Sequence, residues 1–467
     1  MLVLLGLLVA APPRTLRVDY FHTGTASEER FSLDRLVLEP LAWPGNPDHP
    51  VDDTNSGKYL FEVRDKGTNR LLYSRGFSSI FGEWELTAEA KRIARTFGES
   101  FRFPAPQAPV RIVLHKRDPR TNAFREAWTL EVDPRDPFVD DSPPPSAGEL
   151  IALQRKGEPA GKVDLLILGD GYTAAERGKF EKDARRLMDV LFRTSPFKER
   201  REDFNVWGLA PAAVQSGISR PSTGVHRRPP VGSTYDAFGS ERYILTFENR
   251  AFRDAASQAP YELVEILANA QTYGGGGIFN LYATVASDSL WSPYVFVHEF
   301  GHHVAGLADE YFTSPTSYES TPERLEPWEP NVSATADPVH LKWRALLTPG
   351  VPLPTPWDEA GFIEWQKEVQ ARRARIRSER RPEAEMDALF TVEKAEATRR
   401  LSAEKLAGAV GAFEGANYEP KGYFRSQVDC IMFTRDDVPF CAACRSAIDR
   451  ILDLYAARSQ PRSAGPR

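Results

Sequence analysis

Cysteine is scarce in this chain: three in 467 residues, Cys430, Cys441 and Cys444, all near the C-terminal end. So few exclude a disulfide-framed scaffold, and an odd number leaves at least one thiol unpaired within the chain. Long apolar runs are missing too; none reaches the roughly 20 residues that a membrane-spanning helix needs. A surplus of positive charge is also lacking, since 59 Lys+Arg stand against 65 Asp+Glu for a net charge of −6. That balance argues against nucleic acid or an anionic membrane as the main partner, because both leave a basic footprint. The 32 glycines have no period, so collagen is excluded, and the 37 prolines imply stiff loops. What remains is an ordinary globular composition, 41% apolar and 27% charged, over a length that allows about three domains.

Leu2 to Ala11 is an unbroken apolar run followed by Pro12 and Pro13. It is too short to span a bilayer but suits the apolar region of a secretory signal, with Ala10 and Ala11 at the cleavage end. The positively charged start is missing. Residues 1–13 therefore read as a truncated signal peptide, the alternative being an apolar tail. The expected location is secreted, periplasmic or at the cell surface.

From Leu16 to Val132 short segments alternate apolar and polar residues between turn signals, as in Tyr59-Leu-Phe-Glu-Val63 and Val110-Arg-Ile-Val-Leu114. Period-two spacing predicts antiparallel strands with one wet face, hence a β-sandwich domain over residues 14–133. One helix is expected within it, from about Thr87 to Phe97. Residues 134–148, with Asp140-Asp-Ser-Pro-Pro-Pro145, read as a stiff linker. A second domain is expected over 149–458, and a disordered tail over 459–467. In the second domain Val163 to Leu168 reads as a buried strand, and Thr173 with Glu176 as a capping box opening a helix to about Phe192. Gly169-Asp-Gly171 before that helix invites a dinucleotide reading, but Ala174 stands where the third glycine is needed. Residues 358–407 are charged and helix-prone, and read as a solvated helical insertion.

The chemistry concentrates in Val297-His-Glu-Phe-Gly-His302. On a helix, positions i and i+4 share a face, so His298 and His302 can hold one metal from the same side. Glu299 is then placed to take a proton from water at that metal. Ser292-Pro293 suits the helix start and Gly306 a left-handed end. After that bend the chain brings Asp309 and Glu310 back, and either could complete a two-histidine, one-carboxylate zinc site with one position open. His303 points to another face and reads as a core or surface histidine. A buried helix with hydrogen-bonded histidines is the bland alternative. Cys441-Ala-Ala-Cys444 has the spacing of half a zinc knuckle or a redox pair, and with Cys430 as the one remaining cysteine a local disulfide is expected.

His298-Glu-Phe-Gly-His-His-Val-Ala-Gly-Leu-Ala-Asp-Glu-Tyr311 resembles the zinc motif of the IgA-cleaving metallopeptidase family, a branch of the metzincin-type zinc proteases. Other segments carry the likeness across residues 15–455: Arg17-Val-Asp-Tyr20, Tyr73-Ser-Arg-Gly-Phe77, Leu165 to Thr173, Phe204-Asn-Val-Trp207, Glu414-Gly-Ala-Asn-Tyr418 and Cys430-Ile-Met432. The resemblance implies His298 and His302 as zinc ligands, Glu299 as general base, and Met432 in a methionine turn that packs beneath the metal. The usual metzincin spacing puts the glycine and the third ligand one residue earlier than Gly306 and Asp309, so Asp309 is expected as third ligand with Glu310 as competitor. Tyr311, Tyr418 and Tyr423 are candidates for stabilising the oxyanion. Tyr273-Gly-Gly-Gly-Gly-Ile-Phe-Asn-Leu-Tyr282 falls where such proteases carry the edge strand of the substrate cleft, and otherwise reads as a flexible loop.

The expectation is an α+β protein: an N-terminal antiparallel β-sandwich followed by a metzincin-like zinc protease domain. Its function would be that of an exported Zn2+-dependent endopeptidase on a protein or peptide substrate, with no nucleic acid partner and no integral membrane span. The alternatives are an extracellular protein- or glycan-binding protein with a structural zinc, or a zinc amidohydrolase acting on a non-peptide amide.

Overall fold

The computed structural model describes residues 12–314, 316–318 and 323–456. The signal-like run up to residue 11 and the tail expected over 459–467 lie outside the described residues. Among the described residues no helix is long and apolar enough to cross a membrane.

The N-terminal part is built from strands β1 (Arg14–Gly24), β2 (Glu29–Ala42), β3 (Tyr59–Asp65) and β4 (Leu71–Phe77), then the short helix α1 (Ile80–Trp84), then β5 (Arg95–Pro104), β6 (Val110–Arg117), β7 (Phe124–Val132) and β8 (Val139–Asp140). They form two four-stranded sheets, β5-β1-β2-β8 and β4-β3-β6-β7. Alternating residues of each, Leu16, Val18, Tyr20, Phe101 and Phe103 from one and Tyr59, Phe61, Val63, Ile112 and Leu114 from the other, meet in one core. Phe61 and Phe101 stack across it at 4.7 Å. The helix expected at 87–97 is not there: residues 88–92 form turns, and from Arg95 the chain enters β5, which pairs with β1 over ten residues, from Gly24↔Arg95 to Thr15↔Pro104. A full ladder of sheet hydrogen bonds outweighs a weak local helix preference. The segment expected as a linker adds β8 to the edge of β2, in parallel.

Nor is the outer face of the β1 sheet wet. Both faces of β1 are buried between Thr15 and Tyr20. Its outward Arg17 reaches Asp254 at 2.6 Å and Glu39 at 3.5 Å. Arg102 of β5 grips Glu39 at 2.8 Å and lies 3.6 Å above the Tyr261 ring. The charges that look solvent-directed in sequence dock this sheet onto the rest of the molecule.

That second part contains β9 (Ile151–Gln154), β10 (Val163–Asp170), α2 (Arg177–Leu191), β11 (Phe204–Leu209), β12 (Ser233–Thr234), β13 (Leu245–Thr246), α3 (Asn249–Ala256), β14 (Leu263–Ala268), β15 (Gly275–Ile278) and β16 (Tyr282–Ala286). After these come α4 (Ser292–Ala305), β17 (Val332–Ser333), α5 (Glu359–Ser378), α6 (Glu383–Ser402), β18 (Phe413–Ala416), β19 (Glu419–Arg425) and α7 (Ala442–Tyr455). A six-stranded sheet, β15-β16-β14-β10-β11-β9, organises them. Its middle strands are parallel and both edges antiparallel. Every residue of β10 is buried, as a central strand covered on both faces requires. Val163, Leu165 and Ile167 face a core shared with α2, α4 and α7, while Leu166 and Leu168 face α1 and α3. The capping box forms as expected: Thr173 donates its N–H and its hydroxyl to Glu176, each at 2.9 Å.

The charged region 358–407 is a helical hairpin, α5 and α6, but not a solvated one. Phe362, Val369, Ile376, Met386, Leu389, Phe390 and Leu401 join the main core.

Glu39 is the buried carboxylate that Arg102 grips, so its removal strands that cation, while Arg17 keeps Asp19 and Asp254. We expect Glu39→Ala to lose about 3–5 kcal/mol of stability in urea unfolding, while Lys66→Ala, in an exposed pair with Glu131, leaves the midpoint nearly unchanged.

Candidate active site and metal centre

Helix α4 starts at Ser292-Pro293, where the missing proline N–H costs nothing. Val295, Phe296, Phe300 and Val304 bury its apolar side in the main core. It ends at Gly306, whose φ of 58° is left-handed and where a Cβ would strike the Trp328 ring. Strand β15 lies so close that a Cβ on Gly277 would strike the Glu299 carbonyl and come within 2.8 Å of the His302 Cβ. The glycine run is thus an edge strand, not a loop, and its bareness admits the motif helix itself.

His303 fixes the helix on the sheet. Its Nε2 accepts from the Val264 N–H at 3.0 Å and its Nδ1 donates to the Ile278 carbonyl at 3.1 Å. Burial keeps this ring neutral, with its pKa pushed down to about 3. It is a core histidine.

One side of α4 then faces a cleft of about 630 Å³. His298 Nε2 and His302 Nε2 stand 3.3 Å apart. Asp309 Oδ1 is 3.1 Å from the first and 3.3 Å from the second. Donors held at about 2.05 Å by one tetrahedral zinc are roughly 3.3 Å apart, so the triangle has the right edge for a single small cation. The surroundings fix the donors' chemistry. His298 Nδ1 donates to the Ile431 carbonyl at 3.0 Å and His302 Nδ1 to the Leu307 carbonyl at 2.5 Å, which turns both Nε2 lone pairs to the common point. Tyr418 donates to Asp309 Oδ2 at 2.6 Å, while the buried Oδ1 has no hydrogen-bond partner. Burial alone would raise the Asp309 pKa, but His302 and His298 hold it well below the usual carboxylate range. Burial would lower His302, yet Asp309 lifts it to about 9. One carboxylate oxygen and two imidazole nitrogens at these distances are a donor set that could hold a metal ion.

Glu299, half-buried, has a carboxylate oxygen within 4.8 Å of both histidines. Its pKa is raised by burial and pulled back by the imidazoles. Glu310, the competing carboxylate, turns the other way. Its N–H donates to the Met432 carbonyl at 2.9 Å and its Oε1 lies 3.3–3.4 Å from the sulfurs of Cys444 and Cys441. Met432 is fully buried, in the same turn as Ile431. Thr434 donates to Asp429 at 2.7 Å. All three cysteines are free thiols, so the expected local disulfide is absent; their fourth neighbour is Glu310, far away in sequence.

Of the three tyrosines, Tyr423 donates to the Leu325 carbonyl at 3.1 Å and Tyr418 to Asp309. Tyr311 accepts from Arg242 at 3.0 Å, and its ring stacks near His298. Sequence reasoning missed Arg242, which carries no motif. It also missed Tyr294, whose hydroxyl is 3.1 Å from His298 Nδ1 and whose i−4 spacing was a usable signal. A third omission is Glu265, fully buried on β14 and pushed well above the usual range by burial and then by Glu299. The opposite wall of the cleft comes from the N-terminal sandwich and α1, with Lys58, Glu83, Glu85 and Lys116.

Among known proteins, the family described as IgA Peptidase M64 matches residues 151–452, and the description Peptidase M64 N-terminus matches residues 10–129. No curated protein matches the chain. The first match alone spans more than half the residues and includes every donor of the cleft. On that ground the chain belongs to the IgA peptidase M64 family, and it is a peptidase.

Proposed function

We propose that this chain is a zinc-dependent endopeptidase in which His298, His302 and Asp309 hold the metal and Glu299 is the general base. The observation that carries the reading is the triangle of three lone-pair donors with edges of 3.1–3.3 Å, each oriented from behind by a hydrogen bond. The buried Asp309 Oδ1 without a partner fits a cation, and two imidazoles with one carboxylate fit zinc. Bound there, zinc would polarise the scissile carbonyl and acidify water towards a pKa of about 7.

The chain's own groups do the rest. Glu299 takes the proton from the attacking water and passes it to the leaving amine, a task that its raised pKa suits. Tyr311, backed by the Arg242 guanidinium, supplies the positive wall against the developing oxyanion. A peptide would lie along β15. The outward amide and carbonyl of Gly275 are taken by Arg242 and Ile244, so the two-residue alternation leaves those of Gly277 for backbone pairing with substrate. The position of the cleft between the two parts favours an extended protein substrate over a small amide, and hydrolysis over a sealed structural zinc. The buried Met432 beside Ile431, whose carbonyl accepts from His298, supports a metzincin-like arrangement, and the run Leu2–Ala11 supports export.

Glu299→Gln should keep the zinc content of the wild type and lose peptide hydrolysis by a factor of about 10³ or more, measured on a peptide library with and without chelator. Wild-type turnover by that variant overturns the mechanism. Tyr418→Phe removes only the donor to Asp309 Oδ2 and should weaken zinc binding by about 10–100-fold in chelator competition.

A further inference from the structure

A second group of metal-binding residues lies outside the cleft. Cys430 stands in the turn before Met432, Cys441 caps α7, Cys444 lies in its first turn, and Glu310 follows Asp309. All four are buried. Cys441 Sγ is 3.3 Å and Cys430 Sγ 3.9 Å from Cys444 Sγ, and Glu310 Oε1 is 3.4 Å from Cys441 Sγ and 3.3 Å from Cys444 Sγ. One donor atom from each residue falls within 4.8 Å of every other.

We infer that Cys430, Cys441, Cys444 and Glu310 form a second, structural metal site of the zinc type, closed by four protein ligands and separate from the catalytic centre.

The 3.9 Å between the Cys430 and Cys444 sulfurs matches that assignment, and the 3.3 Å between those of Cys441 and Cys444 is shorter but far beyond a disulfide bond. Sulfurs bound at about 2.3 Å to one tetrahedral ion stand roughly 3.8 Å apart, whereas a disulfide brings them to about 2.05 Å. The hydrogen bonds agree as well. The N–H groups of Met432 and Cys441 both donate to Cys430 Sγ, at 3.5 and 3.2 Å, as amides do around a thiolate ligand. Glu310 is the decisive residue. A carboxylate buried against three sulfurs, with Oε2 lacking any partner and Oε1 shared by the Asn331 amide and the Cys441 and Cys444 sulfurs, is costly unless a cation joins it. The nearby Arg425 guanidinium spends its N–H groups on the carbonyls of Glu414, Gly415 and Val428. Thiolate donors select zinc over magnesium or calcium, and the three thiol protons leave to solvent on binding.

The site has a structural role within reach of catalysis. It would clamp Glu310, and with it the adjoining Asp309, to the turn whose Ile431 carbonyl orients His298. Because its ligands are distinct from those of the cleft, it stands or falls independently of the proposed function.

The test uses the full chain purified in zinc and without reductant. Wild type should carry about two zinc ions by elemental analysis and His302→Ala about one. Refilled with cobalt, His302→Ala should show thiolate-to-cobalt charge-transfer absorption, which the cleft donors cannot produce. All three thiols should resist modification in the native protein and react after unfolding with chelator. Adding Cys444→Ser to His302→Ala should remove the remaining ion; should that variant not fold, the cobalt spectrum and thiol count still decide. A His302→Ala protein that folds without metal overturns the inference, and so does a single reactive thiol after unfolding, which would mean a disulfide.

Discussion

The bend at Gly306 is the constraint on which the centre of this molecule depends. A left-handed residue ends the motif helix there, and the chain doubles back along its own last turns. Asp309 and Glu310, consecutive in sequence, then leave the backbone in opposite directions, one to the two imidazoles and the other to the sulfurs. Neither direction is adjustable by itself, because the Glu310 N–H is tied to the Met432 carbonyl and the Ala308 N–H to Asn331. Any side chain at position 306 would push against Trp328 and undo both placements together.

Around this bend the molecule is assembled from two parts that share more than a boundary. The sandwich contributes its own core, but α1 and Phe97 belong to the core under the six-stranded sheet. Charged side chains on its outer face complete the contact, with Arg17 and Arg35 converging on Asp254. The cleft is consequently a space between parts, floored by α4 and walled by the sandwich.

Much of this was legible in the residues. The helix from Ser292 to Ala305, the capping box at Thr173 and the alternation in β3 and β6 follow from local rules, since each is decided by neighbours a few positions away. The failures share a cause. The stretch 87–97 looks helical on its own, but its last three residues pair with β1 some seventy residues upstream, and residues 88–92 before them are turns. The buried stripe of α5, Phe362, Gln366, Val369, Arg373 and Ile376, has helical spacing but contains two polar residues, and reads as solvated for that reason. The outward charges of β1 read as a wet face because ion pairs across an interface and ions in water have the same sequence. Glu310 could be narrowed to two options and no further, because the cysteines that it approaches lie more than a hundred positions later.

His303 has a consequence of its own. An α-helix can in principle roll about its axis against a sheet, and a roll of one residue is about 100°. The neutral ring next to His302 rules this out, since its two nitrogens are engaged by a strand amide on one side and a strand carbonyl on the other. It works as a key in a slot, setting the azimuth of the whole rod. Inserting or deleting one residue between positions 298 and 303 would swing the imidazoles away from Asp309 even with every ligand still present, so the count of residues within this helix is as binding as their identity.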